Sequence, residues 1–196
     1  MRVFKLGMIV GRFQPIHKGH EKLINIGLNL CDKLIIFVGS SQESGTIRNP
    51  FNLSLRYEMI NEVLKNNFDT DRIKVVGLDD LTNENDLTPL WGKYVLNKAK
   101  DYMNTEPNCI IYGKDNDIDK CFSREDTENI TEIYVDRKSD NISATMVRNL
   151  ILNGKKEEFK KYVDEKIYNR YDELKEILEK IYYLKYNSWY CILNNI

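Results

Sequence analysis

The sequence predicts an α/β fold: a Rossmann-like, doubly wound, mostly parallel sheet of about five strands with a helical C-terminal extension. Three observations predict it. Short runs of β-branched and aromatic residues alternate with longer amphipathic stretches, the pattern of βαβ units. From Ser143 onward the strands stop and the chain turns helical. The length, 196 residues with 42% hydrophobic, suits one domain plus a small appendage. We divide the chain into a 1–154 domain and a 155–196 helical extension, packed on that domain or at a subunit contact.

The elements follow in order. Leu6–Val10 reads as a buried first strand. Lys18–Leu30 carries Leu23, Ile24, Ile26, Leu28 and Leu30 on an imperfect helical face. Lys33–Gly39 (KLIIFVG) is a second strand. Leu53–Leu64 places Tyr57, Ile60, Val63 and Leu64 at helical spacing; Pro50 ends anything continuous before it, and Asn52 or Ser54 suits the cap. Arg72–Val76 is a third strand, and Pro89–Met103 a helix with Leu90, Tyr94 and Val95 on one face. Asn108–Tyr112 and Glu132–Val135 supply strands four and five. Met146, Val147, Leu150 and Ile151 form one later stripe; Tyr171, Leu174, Leu178, Ile181 and Tyr182 form another.

Charge excludes some classes. Lys plus Arg is 29 and Asp plus Glu is 30, which gives no support to nucleic-acid coating or an acidic tail. No apolar run approaches the roughly 18 residues of a membrane span, and the N-terminus is too weakly apolar for a signal peptide. A cytoplasmic protein without nucleic-acid or membrane partners is expected. Cys31, Cys109, Cys121 and Cys191 lack C-x-x-C spacing, so free thiols in or near the core are expected rather than a cysteine metal site.

In parallel sheets, ligands sit beyond the carboxyl ends of the strands at the topological switch point. The turn after strand one is "GRFQPIHKGH", Gly11 to His20, and it holds both histidines of the chain. It is neither a P-loop nor a G-x-G-x-x-G fingerprint. It still has what polyphosphate needs. Gly11 and Gly19 allow close backbone approach. Arg12, Lys18, His17 and His20 supply donors, and the next helix offers a positive end. Pro15 stiffens the turn. Taken alone, two histidines three apart fit zinc ligands, and fit a cap and a surface residue better.

Three segments together resemble one family. "GRFQPIHKGH" matches the G-x-F-x-P-x-H-x-G-H motif of the nucleotidylyltransferase superfamily. "ISATMVR", Ile142 to Arg148, looks like its second signature, I-S-x-T-x-x-R. "GSSQESGTIRNPFNLSLRYEMI", Gly39 to Ile60, resembles the stretch that marks archaeal-type nicotinamide mononucleotide adenylyltransferases. The resemblance spans residues 6 to about 150. It implies transfer of an adenylyl group from ATP to a pyridine mononucleotide, giving a dinucleotide and pyrophosphate.

The same resemblance implies roles. His17, His20 and Arg148 are the expected catalytic residues, with His20 nearest the α-phosphate. Gly11, Arg12, Phe13, Lys18, Gly19, Gly113, Asp115, Ile142, Ser143 and Thr145 are expected to bind ATP. Ser41, Gln42, Arg48, Asp80 and Trp91 are expected around the acceptor, with Asp79 the alternative to Asp80 near the carboxamide and Arg56 a helix residue nearby. Trp91 would stack on the pyridine, although a core tryptophan on a helix explains it equally. The Gly-Asp-Asn turn near Asp115 needs no ligand to explain it. No carboxylate cluster builds a metal cage, so Mg2+ is expected to arrive with ATP. A homo-oligomer is expected from the aromatic tail.

Two departures stand out: Gly45 where the family often has His, and Ala144 where Gly is commoner. Other readings remain open. The acceptor could be nicotinic acid mononucleotide or another phosphate, although "RFQP" and Ser-x-Gln argue against pantetheine phosphate and against cytidylyl transfer. A weakly catalytic nucleotide-sensing module is the reading from another class. Against it, Gly11, His17, His20, Ser143, Thr145 and Arg148 are all present.

Overall fold

The computed structural model describes residues 2–83, 88–113, 120–136 and 142–193, with side chains to residue 184. Five strands, β1 (Phe4–Gly11), β2 (Cys31–Gly39), β3 (Ile73–Leu78), β4 (Cys109–Gly113) and β5 (Thr131–Val135), form one parallel sheet in the order β3-β2-β1-β4-β5. The chain winds outward from β1 through β2 to β3, then returns to β4 on the other side of β1. The switch point therefore lies between the carboxyl ends of β1 and β4, and the Gly11–His20 turn leaves β1 there.

The expected helices are present, with ends displaced by a few residues in some. α1 spans Lys18–Leu30 and α2 Leu53–Asn67; Asn52 is the α2 cap, its side chain accepting from Leu55 N at 2.9 Å. α3 is Pro89–Met103, capped by Thr88. A short α4, Arg124–Thr127, precedes β5. α5 (Ala144–Leu152), α6 (Lys156–Phe159), α7 (Glu165–Asn169) and α8 (Tyr171–Leu193) complete the chain.

Successive strand residues face opposite sides of the sheet, and each side has its own apolar cluster. Ile9, Leu34, Ile36, Val38 and Ile111 face α1, α2 and α5. Leu6, Met8, Ile35, Phe37 and Ile110 face α3. Phe159, Val163, Ile167, Tyr171, Leu174 and Leu178 belong to the first cluster, so the extension shares the domain's core. Cys31, Cys109 and Cys121 are buried free thiols. Among the described residues, no helix is long and apolar enough to cross a membrane.

Candidate active site

His17 is the N-cap of α1, with extended backbone at φ −151°. Its backbone N–H donates to His20 Nδ1 at 3.3 Å, three residues on. That bond makes Nδ1 an acceptor, so the neutral His20 ring carries its proton on Nε2. The two rings lie 3.9 Å apart between centroids, tilted by 32°, and the Phe13 ring lies 4.4 Å from that of His20. Both imidazoles are buried, 1% and 7% exposed. Gly19 leaves little room here: a Cβ on it would lie 3.0 Å from His17 Cε1 and Nδ1, so the imidazole would have to shift.

The second signature joins the first. Ser143 caps α5, its Oγ accepting from Met146 N at 3.1 Å. Ile142 approaches Gly19, at 3.9 Å from the position of a Cβ there. Arg148 donates from Nη1 to the Gln14 carbonyl at 2.8 Å and from Nη2 to Thr145 Oγ1 at 3.3 Å. Burial lowers its pKa from the usual range. Arg12 lies in the same turn. Lys18 points elsewhere, its Nζ donating to the Lys161 carbonyl at 2.7 Å. Gly113 is buried at the end of β4. Asp115 lies outside the described residues.

Two links hold the turn to the neighbouring loop, and sequence reasoning missed both. Gln14 pairs with Phe51 like a strand partner: Nε2 donates to Phe51 O at 3.0 Å, and Oε1 accepts from Phe51 N at 2.9 Å. Arg56, fully buried, donates to the carbonyls of Arg12 (3.1 Å), Gly39 (2.8 Å) and Ser40 (3.0 Å). Burial brings its pKa down to about 10, so it stays charged at neutral pH. Phe13 and Ser40 on either side are in the left-handed region at φ 52° and 49°, a cost that these bonds offset. The only sequence signals were a glutamine before Pro15 and an arginine on a helix face.

Three of the expected acceptor residues, Ser41, Gln42 and Asp80, gather at the ends of β2 and β3. Ser41 Oγ bonds Asp79 Oδ1, and Gln42 Oε1 accepts from Asp80 N at 3.2 Å. Asp80 Oδ2 is buried and makes no hydrogen bond among the described residues. Burial, then the Asp79 carboxylate, raises the Tyr94 pKa. Arg48 is half-buried in the loop after β2. In that loop Gly45 adopts φ +70°, where a histidine would be strained. Trp91 is 5% exposed and packs edge-on to Phe122 in the second core cluster.

A family model described as cytidylyltransferase-like matches residues 8–150, from β1 into α5. The chain belongs to that family. Within it, this nucleotidylyltransferase resembles archaeal nicotinamide-nucleotide adenylyltransferases. The protein of that name from Picrophilus torridus is 31% identical over 174 residues, 89% of this chain and 92% of that protein. The one from Saccharolobus solfataricus is 44% identical over 90 residues, 45% of this chain. A bifunctional NMN adenylyltransferase/ADP ribose pyrophosphatase from Francisella tularensis, complexed with AMP and manganese, superimposes with a TM-score of 0.70 at 26% identity over 95% of this chain. The chain spans 50% of the Saccharolobus protein and 55% of the Francisella chain.

Proposed function

We propose that this nucleotidylyltransferase joins ATP and nicotinamide mononucleotide into NAD and pyrophosphate. The mononucleotide 5′-phosphate oxygen attacks the α-phosphorus of ATP in line; the new P–O bond forms as the α–β bridge breaks, and pyrophosphate leaves. No protein nucleophile is needed, so catalysis rests on positioning and on donors aimed at developing charge. The observation that carries this reading is the His17–His20 pair at the start of α1. It sits at the switch point, with the second signature helix bonded to the same loop through Arg148 and Gln14.

In this reading His20 Nε2–H donates to the α-phosphate, and His17 and Arg12 add donors along the triphosphate. Arg148, Ser143 and Thr145 stand at the β- and γ-phosphates, with the α5 N-terminus supplying N–H groups. Gly113 lines the adenosine. Among the described residues, no three His, Cys, Asp or Glu side chains converge as a metal site. We assign Mg2+ to the ATP that would carry it in, where it would neutralise phosphate charge.

The acceptor is the amide rather than the acid. Asp79 and Asp80 lie together at the end of β3, and Asp80 Oδ2 is a buried acceptor with no donor among the described residues. A carboxamide N–H2 would supply that donor, and a nicotinate carboxylate would be repelled. Purified protein assayed with ATP and each pyridine mononucleotide tests both points. NAD and pyrophosphate should form with the amide at the higher kcat/KM, and Asp80→Asn should narrow the preference. No product from either mononucleotide would refute the activity, and a preference for the acid would refute the carboxylate argument.

A further inference from the structure

Gln14 sits in the histidine turn, but its side chain reaches the loop after β2. It is 1% exposed and forms both hydrogen bonds to the Phe51 backbone that a neighbouring strand would form. A methionine would fill similar space without the cost of burying an amide. The amide adds direction: two bonds from one planar group fix Phe51 in both distance and orientation.

The loop that ends at Phe51 is tied to itself. Glu43 N donates to Ser40 O at 3.1 Å, Gly45 N to Pro50 O at 3.4 Å, and Thr46 N to Asn49 O at 3.3 Å. Asn49 N donates in return to Thr46 Oγ1 at 2.9 Å, and Arg48 lies within this turn. Both ends of the loop are also bonded to the histidine turn or to its partner. Arg56 joins the Gly39 and Ser40 carbonyls to that of Arg12, and Gln14 holds Phe51 at the other end. Loop and turn are one braced unit that carries Arg48 as well as His17 and His20.

That bracing has a use in adenylyl transfer. In-line attack needs the reacting atoms about 3–3.5 Å apart, and a misplacement of about 1 Å costs up to about 10²-fold in rate. His20 serves the α-phosphate in the proposed reaction, and Arg48 is expected around the acceptor. Along the chain, α1 and β2 lie between them. Through Gln14 the connection is two short segments, Gln14 to His20 and Arg48 to Phe51.

We propose that Gln14 is a positioning residue for adenylyl transfer: by holding Phe51 it sets the Arg48 loop, and the acceptor phosphate with it, against the triphosphate at the histidine turn. This rests on the adenylyltransferase reading and gives a role to a position that the first motif leaves open.

Steady-state kinetics and calorimetric titration of the full chain, well below its melting temperature, test it. Gln14→Met should lower kcat by about 10- to 100-fold. ATP and nicotinamide mononucleotide, each titrated alone, should keep their affinities. Arg48→Ala should weaken the mononucleotide. Adding Gln14→Met to Arg48→Ala should then lower kcat much less than it does in wild type, because the cation that Gln14 positions is already gone. Gln14→Glu keeps an acceptor for Phe51 N and carries the same expectations if Gln14→Met does not fold. Normal kcat in Gln14→Met would overturn the proposal. So would an equal loss of affinity for both nucleotides, losses that add in the double variant, or an Arg48→Ala variant that binds the mononucleotide normally. Failure of both Gln14 variants to fold would make Gln14 a residue of the fold alone and overturn it too. A wild type that forms no NAD would instead overturn the adenylyltransferase reading itself, and this proposal with it.

Discussion

Arg148 and Gln14 lie 134 residues apart, and a buried 2.8 Å hydrogen bond joins the Arg148 guanidinium to the Gln14 carbonyl. That carbonyl is on the Gln14 backbone, and the Gln14 side chain in turn pairs with the Phe51 backbone. One arginine thus ties the second signature helix to the turn that carries both histidines and, through it, to the loop before α2. A residue placed for phosphate is also a support of the histidine turn.

Arg148→Ala should therefore raise the Michaelis constant for ATP and also lower kcat, because the histidine turn loses its anchor. The uncovered Gln14 carbonyl should cost about 1–3 kcal/mol of stability. Arg148→Lys should recover little, since one ammonium cannot span both Gln14 and Thr145. Steady-state kinetics with a parallel melting curve checks this. A rise in the Michaelis constant alone, with unchanged melting, would confine Arg148 to binding.

His20→Ala should cut kcat by about 10²- to 10³-fold, near 2.7–4 kcal/mol of barrier, as for loss of one preorganised donor. ATP affinity should change little, because the donor serves charge that develops at the α-phosphate. The variant also removes the acceptor for His17 N, so a small loss of helix stability is expected. Near-normal turnover would remove His20 from the transition state.

Much of this was legible in the sequence. The α1 bounds Lys18–Leu30 and the α3 bounds Pro89–Met103 match the periodicity reading, because a glycine-rich turn and a capping Thr-Pro mark the starts. The histidine turn and the Ser143 helix were legible as short contiguous motifs. What was illegible depends on contacts between distant segments. Nothing local in Arg56 or Gln14 says that its partners are backbone carbonyls and amides 16 to 44 residues away. Nor does a Trp on a helix declare which way it faces; Trp91 turns into the core.

Arg56→Met should be severely destabilising, by more than about 3 kcal/mol, as expected when a buried polar network loses its donor. The carbonyls of Arg12, Gly39 and Ser40 would be left without the guanidinium that joins them. Arg56→Lys should recover only part of this, for want of a fork. Chemical denaturation of both variants measures it. A loss below 1 kcal/mol in Arg56→Met would mean that water replaces the guanidinium.

Glu21 on α1 should titrate against stability. Burial, then the nearby Asp164 carboxylate, raises its pKa above the ordinary 4.5, with Lys18 opposing. The folded state then holds the proton more tightly than the unfolded chain, so stability falls as pH rises through this window. The cost is absent below 4.5 and complete above the raised folded value. Glu21→Gln should melt higher than wild type at pH 7, and the gap should close in acid. A gap that does not depend on pH would show that ionisation of Glu21 is not its source.

Trp91 offers the sharpest test of core against pocket. At 5% exposure, edge-on to Phe122 and inside the α3 cluster, the indole is part of the packing. Trp91→Ala should then destabilise the fold by about 3–5 kcal/mol, the range for emptying an aromatic core site. Nicotinamide mononucleotide and ATP should both keep their affinities wherever the variant is folded. A stacking role predicts the reverse: a selective loss of about 1–3 kcal/mol for the mononucleotide, with little change in melting. Fluorescence separates the two in an independent way. In a Trp189→Phe background Trp91 is the only tryptophan, and a core indole should be quenched by neither substrate. Quenching by the mononucleotide alone, with unchanged melting in Trp91→Ala, would move Trp91 out of the core and into the acceptor pocket beside Asp80.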